Sequence, residues 1–200
     1  MDAEVLQAMQ RWPDVPAVHG WLALDARGRW RLYPQGGGDA PDAGPGETIS
    51  NEQILRFIGR NYAGDEQGRW YFQNGPQRVY VRLEAAPFVL RLDASGARLE
   101  THTGLPVRTV SEWLLDDAGR LYARSDPGPG GIDDRDLPAL LEQLRDPAGT
   151  PLIDTLDDAP PPRLAHPALG EAPLVHIAAA DVPARLGFRP RPGRWLESPP

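Results

Sequence analysis

The chain has no cysteine, and all 21 of its basic residues are arginine, so lysine is absent as well. Without cysteine there is no disulfide, no thiolate nucleophile and no Cys-ligated zinc or iron–sulfur centre. Without lysine there is no P-loop lysine and no Schiff-base chemistry. These two absences exclude several large classes of enzyme before any motif is considered.

Long apolar runs and an excess of positive charge are also missing. No apolar run approaches the ~20 residues that a membrane-spanning helix needs. The first residues lack the cationic start and apolar core of a signal peptide. The net charge of −7 disfavours non-specific binding to nucleic acid. We therefore expect a cytoplasmic protein that binds neither nucleic acid nor a membrane.

What the chain does contain is typical of a globular protein with many turns. Hydrophobic residues make up 40% of the 200 residues and charged residues 24%, which suffices for a packed core. The 21 glycines and 23 prolines predict short elements joined by tight turns. We expect a single compact domain over 1–200.

One turn pattern, Asp-x-x-Gly, recurs along the chain. Aspartate at the start of a turn accepts local N–H bonds, and glycine at its end adopts a positive φ. Most copies precede a strand-like run, which predicts an antiparallel, hairpin-rich protein. The five copies are 25–28, 65–68, 93–96, 116–119 and 146–149.

Helical spacing appears at three places, which makes the predicted class α+β. Residues 2–11 predict a short N-terminal helix. Ser50 or Asn51 is expected to cap a second helix, and a third begins near Asp133. The Gly/Pro/Asp-rich loop over 34–46 is expected to bury little and to be mobile.

Several landmarks recur in the same order and suggest an internal duplication. Each copy would contain one helix with a few strands, which cannot bury both faces of a sheet alone. We therefore predict two degenerate repeats, at about 20–104 and 111–188, that share one core, with an irregular tail over 189–200. The matched segments are 24–29 with 115–120, 54–58 with 137–141, 65–68 with 146–149, and 86–89 with 172–175.

The segments 68–72 and 78–89 carry a resemblance to a known group of proteins. They read Gly-Arg-Trp-Tyr-Phe and Arg-Val-Tyr-Val-Arg-Leu-Glu-Ala-Ala-Pro-Phe-Val. This pattern resembles uncharacterised proteobacterial domain-of-unknown-function proteins built from repeated α+β motifs. The resemblance covers about 20–110, and through the repeat extends to 188. It implies an α+β fold in a bacterial protein and a role in signalling, with no established activity or ligand and no catalytic residues.

Catalytic and metal-binding patterns are scarce. The four histidines form no pair at metal-ligand spacing, and no Gly-x-Ser-x-Gly motif is present. His102, beside two threonines, is either a general base in a cleft or an ordinary strand histidine, and the second interpretation is favoured. The acids near Asp133 are the usual residues of a helix start. We expect no cofactor and no metal.

The best candidate surface is the hairpin over 70–84. Alternation places Trp70, Phe72, Val79, Val81 and Leu83 on the core face if the two strands pair in register. The opposite face, nearer solvent, then presents aromatic and Arg side chains, which recognition surfaces favour. The alternative is that the arginine stems simply pack over the tyrosines. The candidate residues on that opposite face are Tyr71, Arg78, Tyr80 and Arg82.

Three functions follow as hypotheses. The first is a non-enzymatic binding or interaction module in signalling, with the Tyr/Arg hairpin face as its partner surface. The second is a small-molecule-binding protein or hydrolase with a cleft near His102. The third is a structural subunit that forms a homodimer through exposed strand edges.

Overall fold

The computed structural model describes residues 1–155 and 161–193. The chain divides into two compact units, where the sequence predicts one compact domain. The first unit is Met1–Ala85 with Phe188–Pro200, and the second is Ala86–Gly187. The end of the predicted tail, 194–200, lies outside the described residues. The rest of it is tied to the first unit, because Arg189 N–H donates to the Gly68 carbonyl and Leu83 N–H to the Pro190 carbonyl.

The first unit contains one six-stranded sheet and two helices, and its sheet has the order β3-β2-β1-β6-β5-β4. Neighbouring strands are antiparallel except β1 and β6, which are parallel. In chain order the elements are α1 (Ala3–Arg11), β1 (Val18–Leu24), β2 (Trp30–Leu32), β3 (Glu47–Thr48), α2 (Glu52–Arg60), β4 (Tyr62–Gly64), β5 (Trp70–Asn74) and β6 (Gln77–Leu83).

The register of these strands separates an apolar face from a polar one. Leu22 lies opposite both Leu32 and Val81, and Phe72 lies opposite Val79. Since side chains alternate across a strand, these residues share one face of the sheet. The face partition of the 70–84 hairpin follows the sequence prediction.

The second unit contains one seven-stranded sheet, in the order β12-β13-β9-β10-β11-β7-β8. Two of its neighbouring pairs, β11 with β7 and β13 with β9, are parallel. Its elements are β7 (Phe88–Leu92), β8 (Leu99–Thr101), β9 (Val110–Asp116), β10 (Leu121–Ser125), β11 (Pro129–Ile132), α3 (Leu137–Gln143), a 3₁₀ helix (Leu152–Thr155), β12 (Arg163–His166), β13 (Gly170–Ile177), a second 3₁₀ helix (Ala179–Asp181) and α4 (Val182–Leu186).

The two sheets have a common five-strand order. The first reads β3-β2-β1-β6-β5 and the second β11-β10-β9-β13-β12. Only one neighbouring pair in each series is parallel, β1 with β6 in the first and β9 with β13 in the second. In each unit the helix follows the third strand of the series along the chain. The duplication itself, its limits at 20–104 and 111–188 and the shared core stay predictions.

One of the four matched landmarks is wrong in register. Residues 172–175 lie in β13, where Leu174 pairs with Trp113 of β9. The equivalent pair in the first sheet is Val81 with Leu22. Segment 79–82 therefore matches 172–175, whereas 86–89 leads into β7 of the second unit. Alternating apolar strands resemble one another, so pattern alone does not distinguish these two segments.

The Asp-x-x-Gly turns form as predicted. In all five, the glycine N–H donates to the aspartate carbonyl and the glycine has φ between 71° and 88°. The Asp25 carboxylate also accepts bonds from the backbone N–H groups of Arg27 and Arg29 and from the guanidinium of Arg31. Burial by itself raises the pKa of Asp25, but the bonds from Arg29 and Arg31 outweigh it and lower the pKa. These acids stabilise turns.

The 34–46 loop buries little, as predicted, because Gly38 is its one buried residue and seven of its thirteen residues are exposed. The Gly38 N–H donates to the Gly20 carbonyl at 2.8 Å. The Tyr33 hydroxyl donates to the Gly44 carbonyl at 2.9 Å. A side chain at Gly38 would lie within 3 Å of the Tyr33 ring. Glycine is therefore required at position 38 because the Tyr33 ring packs against it. The sequence does not indicate this role, since glycine is also common in turns.

The described architecture confirms the α+β class, with the short N-terminal helix where it was predicted. Parallel pairs are the main addition, because a pairing between strands far apart in sequence leaves no local turn signal. The Asn51 cap is also confirmed, since its Oδ1 accepts from the N–H groups of Gln53 and Ile54.

Candidate functional site

A pocket of about 670 Å³ lies between α2 and the apolar face of the first sheet. Its size is within the range of about 300–1,000 Å³ that small-molecule sites occupy. Strands β1, β2, β3, β5 and β6 and the first turns of α2 form its walls. The lining residues are Val18, Trp21, Leu22, Leu32, Glu47, Thr48, Ile49, Ser50, Asn51, Ile54, Ile58, Phe72, Asn74, Gln77 and Val79.

The apolar walls follow from strand register and helix periodicity. Leu22 and Leu32 are paired neighbours on β1 and β2. Ile54 and Ile58 lie four residues apart on α2, so they share the face that is turned to the pocket. Helix and sheet therefore present aliphatic side chains to the same space.

One large apolar side chain of this pocket is unusually exposed. Ile54 is 48% exposed. Helix α2 buries only Ile58 among its residues. An amphipathic helix normally buries its apolar stripe. The incomplete burial of α2 leaves apolar surface that an apolar ligand would cover.

The polar groups of the pocket lie at its rim. Asn51 is occupied in capping α2. The Thr48 hydroxyl accepts a bond from the Arg31 guanidinium. Asn74 and Gln77 pair across the β5–β6 hairpin. Glu47 is exposed, and within the described part of the chain it takes part in no ion pair.

The far end of α2 is fixed by buried polar contacts. Asn61 is fully buried, its Oδ1 accepts the Asp2 N–H at 2.8 Å and its Nδ2 donates to the Phe57 carbonyl at 2.9 Å. Asp2 also pairs with Arg60, and the hydrogen bond from this guanidinium lowers the pKa of Asp2. The wall formed by α2 is thus anchored at its end, where Asn61 joins it to Asp2 and, through its carbonyl, to the Gln73 N–H of β5.

The candidate tyrosines lie on the opposite face of this sheet. Tyr71 and Tyr80 are paired neighbours, but their exposed fractions are only 7% and 4%. Arg78 lies 3.9 Å above the Tyr71 ring and Arg69 lies 4.7 Å above the Tyr80 ring. This is the packing of arginine over tyrosine that the sequence allowed as the alternative to an exposed recognition face.

Hydrogen bonds complete the environment of that face. The Tyr80 hydroxyl donates to Asp65 at 3.1 Å, and the His19 ring stacks on Tyr80 at 4.6 Å. Arg82 donates to the Tyr33 hydroxyl at 2.6 Å. Burial raises the pKa of Asp39 despite the nearby positive charges of His19 and Arg82. The first unit thus contains a polar layer beneath its sheet as well as the apolar pocket above it.

His102 belongs to the second unit, whereas the other candidate residues belong to the first. Its Nδ1 accepts the Val89 N–H at 3.2 Å, and its backbone N–H donates to the Val89 carbonyl. The ring packs 5.9 Å from that of Phe88. Residue His102 is not among those that line the 670 Å³ pocket.

Two features are absent from the part of the chain that the structure describes. None of the described groups of His, Asp and Glu is placed to hold a metal ion. None of the described helices has the length and apolar character that a membrane crossing requires.

The sequence predicts the second helix but not the pocket beside it. The signal was present but indirect, because Ile54 and Ile58 recur at helical spacing while the degree to which each is covered depends on what packs between helix and sheet. Glu47 lies in a two-residue strand with no sequence pattern of its own.

Comparison with solved structures gives two distant likenesses to proteins of the DUF1285 family. One, from Silicibacter pomeroyi DSS-3, is 16% identical with a TM-score of 0.49, covering 81% of this chain and 84% of that one. The other, from Shewanella baltica OS155, is 15% identical with a TM-score of 0.39, covering 58% and 86%.

None of the curated proteins matches the chain. The model of the family DUF2944, whose description reads "Protein of unknown function (DUF2946)", matches residues 1–193. This match extends over nearly the whole chain and both compact units. The chain therefore belongs to the DUF2944 family of proteins of unknown function.

Proposed function

We propose that this protein is a binding module whose first unit takes up a small, largely apolar molecule between α2 and its sheet. The observation that carries the proposal is the pocket of about 670 Å³ with aliphatic and aromatic walls. Concave sites of this size, lined mainly by apolar groups with a few polar groups, are the usual form of a small-molecule site.

The exposure of Ile54 supports a ligand as the missing partner of these walls. Each buried apolar Å² is worth about 25 cal/mol, so covering this side chain supplies useful binding free energy. A walled pocket suits a small molecule better than a flat protein surface. The anchor at Asn61 suits a preformed site, which lowers the cost of ordering on binding.

The proposal combines two of the functions considered from the sequence, a non-enzymatic module and a small-molecule binder. A partner surface at Tyr71, Arg78, Tyr80 and Arg82 stays a prediction, and the burial of both tyrosine rings lessens the surface it offers. A hydrolase with a cleft at His102, a homodimer and a cytoplasmic role in signalling also stay predictions.

The test is a titration with N-phenyl-1-naphthylamine, a neutral apolar fluorophore whose emission increases in apolar surroundings. We expect saturable binding at one site. Ile54→Gln should weaken binding about fivefold, because covering a half-exposed isoleucine is worth about 1 kcal/mol. Glutamine is a good helix former, so α2 should persist.

Leu6→Gln is the matched control. Leu6 is 46% exposed on α1, close to the 48% of Ile54, and it does not line the pocket. Binding to this variant should equal that of the unaltered protein. Equal weakening by both substitutions, or a fluorescence signal that never saturates, would contradict a small-molecule pocket at α2.

A further inference from the structure

The charge of the pocket rim restricts the chemistry of its ligand. Among the residues that line the pocket, all of them within the described part of the chain, Glu47 alone carries a charge. Of the 21 arginines, none that the structure describes lines this pocket. An anionic head group would therefore meet a carboxylate and no compensating cation.

Strand register places Glu47 at one end of an apolar row. Leu22 pairs with Leu32, and Leu32 pairs with Glu47 across β1, β2 and the edge strand β3. All three side chains line the pocket. Paired residues on neighbouring strands lie about 5 Å apart, so the row runs from aliphatic wall to carboxylate within the length of a small ligand.

The nearby arginines are already occupied by other acids. Arg31 pairs with Asp25 at 2.9 Å and donates to the Thr48 hydroxyl. Arg56 pairs with Glu52 on the exposed side of α2. Neither residue lines the pocket, so the charge of Glu47 is not neutralised at the rim.

The start of α2 also faces the pocket, and a helix N-terminus by itself favours anions. Here that preference is reduced, because Asn51 Oδ1 accepts the N–H groups of both Gln53 and Ile54. Glu52 adds a negative charge in the first turn.

We propose that the ligand is an amphiphile whose apolar chain lies between α2 and the sheet and whose ammonium group lies against the Glu47 carboxylate. This inference rests on the proposed function, since it specifies the ligand class of the same pocket. The contribution of the charge is modest because Glu47 is exposed to solvent.

The experiment measures displacement of N-phenyl-1-naphthylamine by three probes with one chain length: decyltrimethylammonium, decanol and decanoate, all below their micelle concentrations. The unaltered protein should bind the ammonium about two- to fivefold more tightly than the alcohol, the range expected for an exposed ion pair. Decanoate should bind most weakly. Glu47→Gln should abolish the difference between ammonium and alcohol while the affinity for decanol is unchanged.

Glu66→Gln is the control for the overall charge. Glu66 is an exposed acid in the 65–68 turn outside the pocket, and its loss changes the net charge of −7 by the same amount. The ammonium preference should persist in this variant. A preference for decanoate, or an ammonium preference that survives Glu47→Gln, would overturn the inference.

The two proposals fail in different ways. If decanol and decyltrimethylammonium displace the fluorophore with equal affinity and Glu47→Gln has no effect, the ligand class is wrong and the pocket function stands. If the fluorophore shows no saturable binding, the pocket function itself is wrong, and the ligand class is lost with it.

Discussion

The two units place a helix over the same strands of a common sheet order, yet only one of them leaves a large space beneath that helix. The pocket under α2 measures about 670 Å³, and the corresponding space between α3 and the second sheet about 170 Å³. Ile54 and Ile58 line the first space, and Leu137 and Leu141 line the second. The side chains are similar in size, so composition alone does not explain the difference.

The connection that follows each helix accounts for much of it. After α2 the chain enters β4 and the 65–68 turn at once. After α3 it forms a 3₁₀ helix, Leu152–Thr155, whose Leu152 and Thr155 line the smaller space. The Leu152 N–H donates to the Leu144 carbonyl, which fixes this segment beside α3. An added segment thus fills the second unit, and its absence in the described first unit leaves a pocket.

Each of the two helices buries one residue, Ile58 in α2 and Leu140 in α3. The difference lies in the side chains that line the two spaces, because Ile54 is exposed whereas Leu137 and Leu141 are half-buried. Helix α2 therefore leaves more apolar side chain uncovered beside its space than α3 does.

The largest effect is expected from shortening a buried side chain of α3. Leu140→Ala should lower the free energy of unfolding by about 3 kcal/mol, because a fully buried leucine leaves both a lost transfer term and a cavity. Ile54→Ala, at a half-exposed position, should cost less than about 1 kcal/mol. Urea denaturation of both variants measures this contrast, and equal losses would show that α2 is packed as tightly as α3.

The next effect tests whether the 3₁₀ segment fills the second space. Leu152 is 6% exposed, and Leu152→Ala should cost about 2 kcal/mol because it enlarges the apolar space under α3. Benzene enters engineered apolar cavities of this order of size. Saturating benzene should therefore raise the melting temperature of Leu152→Ala more than that of the unaltered protein. The same increase in both proteins would contradict the assigned role of Leu152.

The smallest effect is a pH dependence confined to the second unit. His166 is buried, and burial lowers its pKa below the ordinary value of about 6.5. On acidification the unfolded chain therefore takes up the proton before the folded protein does. The contribution of neutral His166 to stability is complete above about pH 6.5 and is lost as the pH falls from there through the lower pKa of the folded state. Nδ1 accepts the Ala168 N–H, and a proton on Nδ1 would break this bond, whereas Nε2 could still donate to the Gln143 Oε1.

Amide hydrogen exchange between pH 5 and 7 measures this loss unit by unit. Protection in the second unit should fall towards pH 5, and His166→Gln should remove most of that dependence. His176→Gln, at an exposed strand position, is the control and should retain it. A fall of equal size in the first unit would assign the effect to other groups.

Local signals in the sequence predicted the parts of the fold that local chemistry controls. The five Asp-x-x-Gly turns, the Asn51 cap and the face partition of the 70–84 hairpin each depend on residues a few positions apart. The parallel pairs of β1 with β6 and β9 with β13 join distant segments, and no turn reports them. For the same reason the match of 86–89 to 172–175 was wrong.

In the candidate site, too, local patterns predicted some features and tertiary packing decided others. Alternation correctly placed Tyr71 and Tyr80 on one face, but the arginines above them and the ring of His19 decide that they are buried. The packing of the 34–46 loop against Tyr33 was equally invisible in a segment rich in glycine.

The sequence by itself determined which residues turn, cap and alternate, because those preferences act within a few residues of the backbone. It also excluded cysteine and lysine chemistry outright. Only the tertiary structure decided that a pocket of about 670 Å³ remains between α2 and its sheet, whereas a 3₁₀ segment lines the smaller space of about 170 Å³ beside α3. The separation of a helix from a sheet depends on everything packed between them, and that sum is spread over strands far apart in the chain.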